Sequence, residues 1–198
     1  MHAAERDTER VKALHRDFLE ALQSEDVTHF KFVDETSANL TYARRCGRAL
    51  CGRRVDAAVM LRNGPNVTVV AALTPLGVET VMKLDGAVNT ASFAAYLEQV
   101  LGPTLAPGDV VVLNNMRVYK APGLAELVEA RGTRLLFLPP DSTDFTPIEL
   151  AFSKLKTHLR TSAARTREAL TAALHAALAW ITAQDAQNRF NHCGYHIH

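Results

Sequence analysis

Apolar residues of the first two dozen positions recur at helical spacing: Val11, Leu14, Phe18, Leu19 and Leu22 fall on one side of a helix expected from Glu5 to about Gln23. The pattern then changes period. His29–Val33 (HFKFV) reads as a short strand running into Asp34 and Glu35, followed by an Arg-rich stretch over 39–62 with short strands expected in it. Two β-branched runs, Val67–Leu73 and Val78–Leu84, are separated by Thr74-Pro75-Leu76-Gly77, a hairpin-length turn. Thr90 or Ser92 is placed to cap a helix reaching about Leu101. Asp109–Leu113 (DVVVL) and Arg134–Leu138 (RLLFL) are continuous apolar runs of the type buried on both faces, and a helix from about Pro122 to Ala130 joins them into a β-α-β unit. From Thr146 onward helices dominate, expected at 147–161, 166–182 and about 184–191, and the last residues read as a frayed end. Thr146, Pro147 and Glu149 have the spacing of a capping box with proline at the first helical position.

Composition narrows the class. With 198 residues, 47% hydrophobic and 22% charged, the chain is long enough for one well-formed core. No run of about 18 apolar residues occurs, and the N-terminus is charged throughout, which excludes a membrane span and a secretory signal and gives a cytoplasmic, nucleoid-associated expectation. Three cysteines without a signal read as reduced thiols. The net charge of +1 conceals alternation: −4 over 1–39, +5 over 40–62, −4 over 63–149 and +4 over 150–198. Basic segments beside acidic ones suit a polyanion-binding surface next to a carboxylate-bearing site, although a solvated Arg-rich loop gives part of the same pattern.

Polar residues at the ends of buried strands are where α/β sheets gather their sites. Asp34 ends the first strand, Asn114 follows DVVVL, and Glu149 lies on the first turn of the helix after RLLFLPP. Oxygen-bearing side chains converging from three parts of a chain suit one or two hard divalent cations. A capping-box acid at 149 and an ordinary turn residue at 114 are the structural alternatives. Five arginines within 11 residues, Arg44, Arg45, Arg48, Arg53 and Arg54, have the density of a phosphate-contacting segment. Lys156 and Arg160 share a helix face with Glu149 and Ser153, and either extend that surface or are simply solvated. Cys46 and Cys51 with His192, Cys193, His196 and His198 lack the paired spacing of a zinc site.

FVDETS around Asp34, VVLNNMRVYKAPG around Asn114 and RLLFLPPDSTDFTPIELAFSKLK around Glu149 resemble the three signature blocks of mariner-superfamily transposases of bacterial insertion sequences. The most specific block is PP-x-S-x-D-F-x-P-I-E over 139–149, and the resemblance runs from about Asp26 to Tyr195. It implies an α/β, ribonuclease-H-like mixed sheet flanked by helices with a helical C-terminal part. It also implies an acidic triad that binds two Mg²⁺ (or Mn²⁺) ions, cuts transposon ends and joins them to target DNA. Asp34 matches the first acid and Glu149 the third. The second position is Asn114, which keeps a carbonyl oxygen but not the charge. Asp109, Asp141 and Asp144 are the nearby acids able to substitute. Tyr119 replaces a histidine common in the family, and Asp141, Thr143 and Thr146 also depart from its pattern. The implied catalytic and metal-binding residues are thus Asp34, Asn114 and Glu149, in a copy impaired at the second acid or reduced to a DNA-binding or transposase-pairing role. The organisation expected is a leader helix over 1–25 and a catalytic domain over 26–198. The helix-turn-helix region that reads transposon ends is then separately encoded or missing, since about 28 residues precede the first strand. Double-stranded DNA, that reading domain and a second copy are the implied partners. A nuclease reused for RNA is a weaker reading that no residue favours.

Overall fold

The computed structural model describes residues 8–22, 25–62, 64–140 and 142–196. Asp141 and His198, named above, lie outside them. A five-stranded mixed sheet carries the molecule: β1 (Phe30–Ala38), β2 (Val67–Thr74), β3 (Gly77–Asp85), β4 (Val110–Leu113) and β5 (Arg134–Phe137), in the order β3-β2-β1-β4-β5. The first three strands are antiparallel, whereas β4 and β5 run parallel to β1. Proline at 75 and a glycine at φ 126° at 77 let the β2–β3 hairpin turn tightly, with Thr74 Oγ1 donating to the Gly77 carbonyl at 3.2 Å.

Strand alternation divides the core. Phe30, Phe32, Val69, Ala71 and Val112 face α1 (Glu9–Leu22), α4 (Pro147–Ser162), α5 (Arg167–Ala179) and α6 (Ala183–His192). Val33, Val70, Ala72, Val111 and Leu113 face α2 (Thr90–Tyr96), its continuation as a π-helix over Leu97–Leu101, and α3 (Leu124–Glu129). Helices on both faces explain why VVVL is apolar at every position.

Four local expectations need correction. β1 continues to Ala38, so Asp34 is mid-strand rather than terminal. Residues 39–62 form no strand, and their side chains are exposed apart from the partly buried 39–43 and Met60. Helix α2 is capped by Asn89 in a reciprocal box with Ser92, an amide doing what the hydroxyls of Thr90 or Ser92 were expected to do. The C-terminal residues are not frayed over the described range: Tyr195 is 3% exposed, and its ring meets Phe30, Phe32 and Phe190 at centroid distances of 5.8, 5.0 and 6.0 Å.

Candidate active site

The parallel register sets the site. Val33 pairs with Leu113, and β4 stops there, so the next residues along, Asp34 and Asn114, stand side by side. Both follow the alternation of Phe32 and Val112 and project toward the α4 side of the sheet. Asn114 Nδ2 donates to Asp34 Oδ1 at 3.1 Å, and Asn114 Oδ1 accepts the Met116 backbone N–H at 3.0 Å. Because β4 ends, the β1 edge beyond Val33 has no neighbour on that side. The Glu35 N–H there donates to the Asp34 carboxylate, and the two carboxyls come within hydrogen-bonding reach of each other. Glu35 Oε2 is buried with no hydrogen-bond partner.

Glu149 stands on the first turn of α4, exposed to solvent. The capping box expected with Thr146 does not form: its side chain makes no cap hydrogen bond, and its hydroxyl donates to the Ser142 carbonyl at 3.0 Å. The Glu149 side chain is therefore not consumed as a capping acid. Its charge is felt at Asp34, whose carboxyl is pushed up to about 7, first by burial and then by the charges of Glu35 and Glu149. Burial also raises the Glu35 and Glu149 carboxyls, the latter against the opposing pull of Lys156. Of these three acids, Asp34 alone is raised by neighbouring carboxylates as well as by burial, as a buried acid without a counter-charge of its own is.

The other candidates separate cleanly. Asp109 immediately precedes β4, roughly 16 Å of extended chain from Asn114 at ~3.3 Å per residue. It is held there by Ala106 N–H (2.9 Å), His29 Nδ1 (3.2 Å) and Lys31 Nζ (3.4 Å), so it is no substitute ligand. Tyr119 is buried on the opposite face against Phe93, its hydroxyl without a partner. Arg44, Arg45, Arg48, Arg53 and Arg54 are all exposed on the 39–62 segment. Lys156 and Arg160 are half-buried on α4, and the Arg160 guanidinium sits 5.5 Å from the Tyr42 ring centroid. Among the described residues no three His, Cys, Asp or Glu side chains are gathered as a metal centre, the zinc candidates included. Cys46 and Cys51 are exposed, and Cys193 is a buried thiol pushed up to about 11 by burial and by Asp144 and Glu149.

Two features went unread in the sequence. Glu35 was legible only as the neighbour of Asp34, and strict alternation would have sent it to the opposite face. A cavity of about 650 Å³ beside Glu149 is lined by Asp144, Leu150, Ser153, His192 and Cys193. The C-terminal His192-Cys193 pair thus borders the candidate site.

The model of the DDE superfamily endonucleases matches residues 29–171, a span that contains Asp34, Asn114 and Glu149. The chain belongs to the DDE superfamily endonucleases. Among solved structures, the chain is similar to the Mos1 transposase in a paired-end complex with the left transposon end (TM-score 0.80, 17% identity, 96% of this chain and 60% of that one). The mariner Mos1 paired-end complex with Mg gives a TM-score of 0.71 at 15% identity, over 100% of this chain and 63% of that one. The catalytic domain of Mos1 mariner transposase alone gives 0.67 at 13% identity, over 96% and 90% of the two chains. At these identities the likeness establishes the ribonuclease-H-like fold. The chain spans about three-fifths of the length of the Mos1 chains in the two paired-end complexes. Among curated proteins none matches in sequence. No helix among the described residues is long and apolar enough to cross a membrane.

Proposed function

We propose that this chain is the catalytic domain of a DNA transposase of the mariner type, acting on transposon ends and target DNA, with its chemistry impaired by Asn114. The observation that carries the reading is the meeting of Asp34 and Asn114 at the β1/β4 boundary, within the field of Glu149. Family membership and the fold shared with Mos1 support it. The donor chemistry fits a divalent cation of the Mg²⁺ or Mn²⁺ kind: Asp34 and Glu149 offer carboxylates and Asn114 an amide oxygen, all hard ligands. When bound, such ions activate the attacking oxygen and stabilise the leaving one in displacement at phosphorus. The chain's own residues orient and hold: the Asn114 amide donates to the Asp34 carboxylate and fixes it, with Asp34 buried and Glu149 open to solvent. Asp-to-Asn removes one of the negative charges that offset repulsion between two cations, so binding of a second ion suffers most.

Arg44, Arg45, Arg48, Arg53, Arg54, Lys156 and Arg160 supply phosphate contacts in this reading. Sequence choice then comes from a helix-turn-helix region outside the catalytic fold, the leader helix being an appendage of the catalytic unit, and a second copy completes the assembly. The cellular place is the nucleoid. The alternative, a DNA-binding or transposase-pairing remnant without catalysis, is favoured by the Asn114 N–H₂ directed at Asp34, where a cation would otherwise neutralise it.

Nicking of supercoiled plasmid in Mn²⁺ tests the choice. Asn114→Asp should raise the rate about a hundredfold, since each ~1.36 kcal/mol recovered is tenfold, and Asp34→Ala should abolish it. An Asn114→Asp protein that neither binds Mn²⁺ more tightly nor nicks would sink the catalytic reading.

A further inference from the structure

Helix α1 stands ahead of the family-matched span, yet it touches the segment that delivers Glu149. That segment has an unusual problem. Pro139 and Pro140 carry no N–H, so once β5 ends, with Leu138 N–H bonding the Leu113 carbonyl, sheet pairing cannot continue. The chain between the sheet and α4 is held by its carbonyls instead. Leu138 O accepts from Asn115 Nδ2, Ser142 O from Thr146 Oγ1 and Phe145 N–H (both 3.0 Å), and Phe145 O from Tyr195 OH at 2.8 Å. Pro140 O accepts from His15 Nε2 of α1 at 3.0 Å, and the same nitrogen is 3.0 Å from Ser142 Oγ. The His15 and Phe18 rings both meet Phe145, edge-on at 5.2 Å and stacked at 5.9 Å.

We propose that α1 is a positioning element of the active site, in which His15 pins Pro140 and Ser142 where the chain turns toward α4 and so fixes where α4 presents Glu149. The inference rests on the reading of Glu149 as an active-site acid. The chain of contacts is short: His15 to Ser142, the Ser142 carbonyl to Thr146, and Thr146 O to the Glu149 N–H at 3.1 Å. A helix that merely covered the core would need only Val11 and Phe18, both buried. His15 adds a polar contact at the Pro140 carbonyl, which has no ladder partner and also accepts from Ser142 Oγ at 3.2 Å, and an Nε2–H is the donor that this carbonyl requires. The positioning is conveyed by hydrogen bonds as well as by packing, which makes it separable by substitution.

His15→Phe keeps a ring against Phe145 and removes the donor; His15→Gln keeps a donor of similar reach and removes the ring. Hydrogen–deuterium exchange over residues 139–150 reads the segment directly, without metal or DNA. The expected result is roughly tenfold faster exchange in His15→Phe, at an unchanged thermal midpoint, and near-parental exchange in His15→Gln. Titration with Mn²⁺ alone should show about tenfold weaker binding in His15→Phe and recovery in His15→Gln. Parental exchange in His15→Phe, or equal acceleration in both variants, overturns the proposal. So does accelerated exchange with unaltered Mn²⁺ affinity, which would detach the turn from Glu149. A parent protein that binds no Mn²⁺ defeats the metal reading of the site, while the exchange comparison still decides whether His15 holds the turn.

Discussion

At the scale of single residues, Asp34 is where structure and chemistry pull hardest against each other. Its carboxyl is pushed up to about 7, from an ordinary value near 4, by burial and by its acidic neighbours. The folded state therefore binds a proton more tightly than the unfolded chain, and its share of stability is full below about pH 4 and lost as pH rises through 7. Asp34→Asn should raise the thermal midpoint at pH 8 and leave it nearly unchanged at pH 4, where the parent carboxyl is already neutral. An amide at 34 still offers its oxygen to Asn114. A denaturation series across pH 4–8 checks the crossing, and equal midpoints for both proteins at pH 8 would show that Asp34 carries no such penalty. The same titration governs cation binding, because the ion must displace the proton. Mn²⁺ affinity should rise about tenfold from pH 6 to pH 8, measured by calorimetry, and a flat profile would remove Asp34 from the ligand set. Asp34 and Asn114 were legible in the sequence because each follows a run of apolar strand residues. Glu35 was not, because its approach to Asp34 depends on β4 stopping at Leu113 and leaving the edge of β1 open.

At the scale of elements, long apolar runs were read correctly and the joints between them were not. VVVL, VTVVAAL and the helix after Pro147 are found where periodicity puts them. Periodicity could not reveal that Thr146 turns its hydroxyl back to Ser142, nor that the residues after α6 re-enter the core, since both depend on contacts between distant parts of the chain. Tyr195 makes the point quantitatively. Its hydroxyl holds the Phe145 carbonyl while its ring completes the cluster with Phe30, Phe32 and Phe190. Tyr195→Phe should cost about 0.5–1.5 kcal/mol, the net worth of one hydrogen bond, and Tyr195→Ala about 3–5 kcal/mol, as loss of a large buried ring. Urea denaturation distinguishes them. If the two variants lost the same small amount, the C-terminal residues would be no part of the core.

At the scale of the whole molecule, the near-neutral total charge is a poor guide, because cationic side chains concentrate on one loop and the helices beside it. The 39–62 segment has no ladder of its own, yet it is moored at several points: Asn39 Nδ2 donates to Asn66 Oδ1 at 3.1 Å, the Tyr42 hydroxyl donates to the Ser37 carbonyl at 3.0 Å with its ring under Arg160 of α4, and the Ala58 carbonyl accepts from Arg165 at 2.5 Å. Arg54 lies 3.5 Å from Asp56 and is partly neutralised, whereas no acidic side chain lies within four residues of Arg44, Arg45 or Arg48 in the sequence. If these three contact DNA phosphates, affinity for random duplex should fall with salt at a log–log slope of roughly −0.9 per phosphate neutralised. Replacing all three with alanine should then flatten the slope by up to about 2.7. Arg160→Ala should do more than its single charge allows, since it also removes the guanidinium packed on Tyr42 and loosens that part of the loop, and Arg160→Lys should recover only part of the loss, an ammonium lacking the planar face that stacks on tyrosine. Fluorescence anisotropy from 50 to 200 mM salt measures each slope. A triple variant with the parental slope would assign the arginines to solvent, and the Lys156 and Arg160 stripe beside Glu149 would then have to account for any DNA affinity the chain retains.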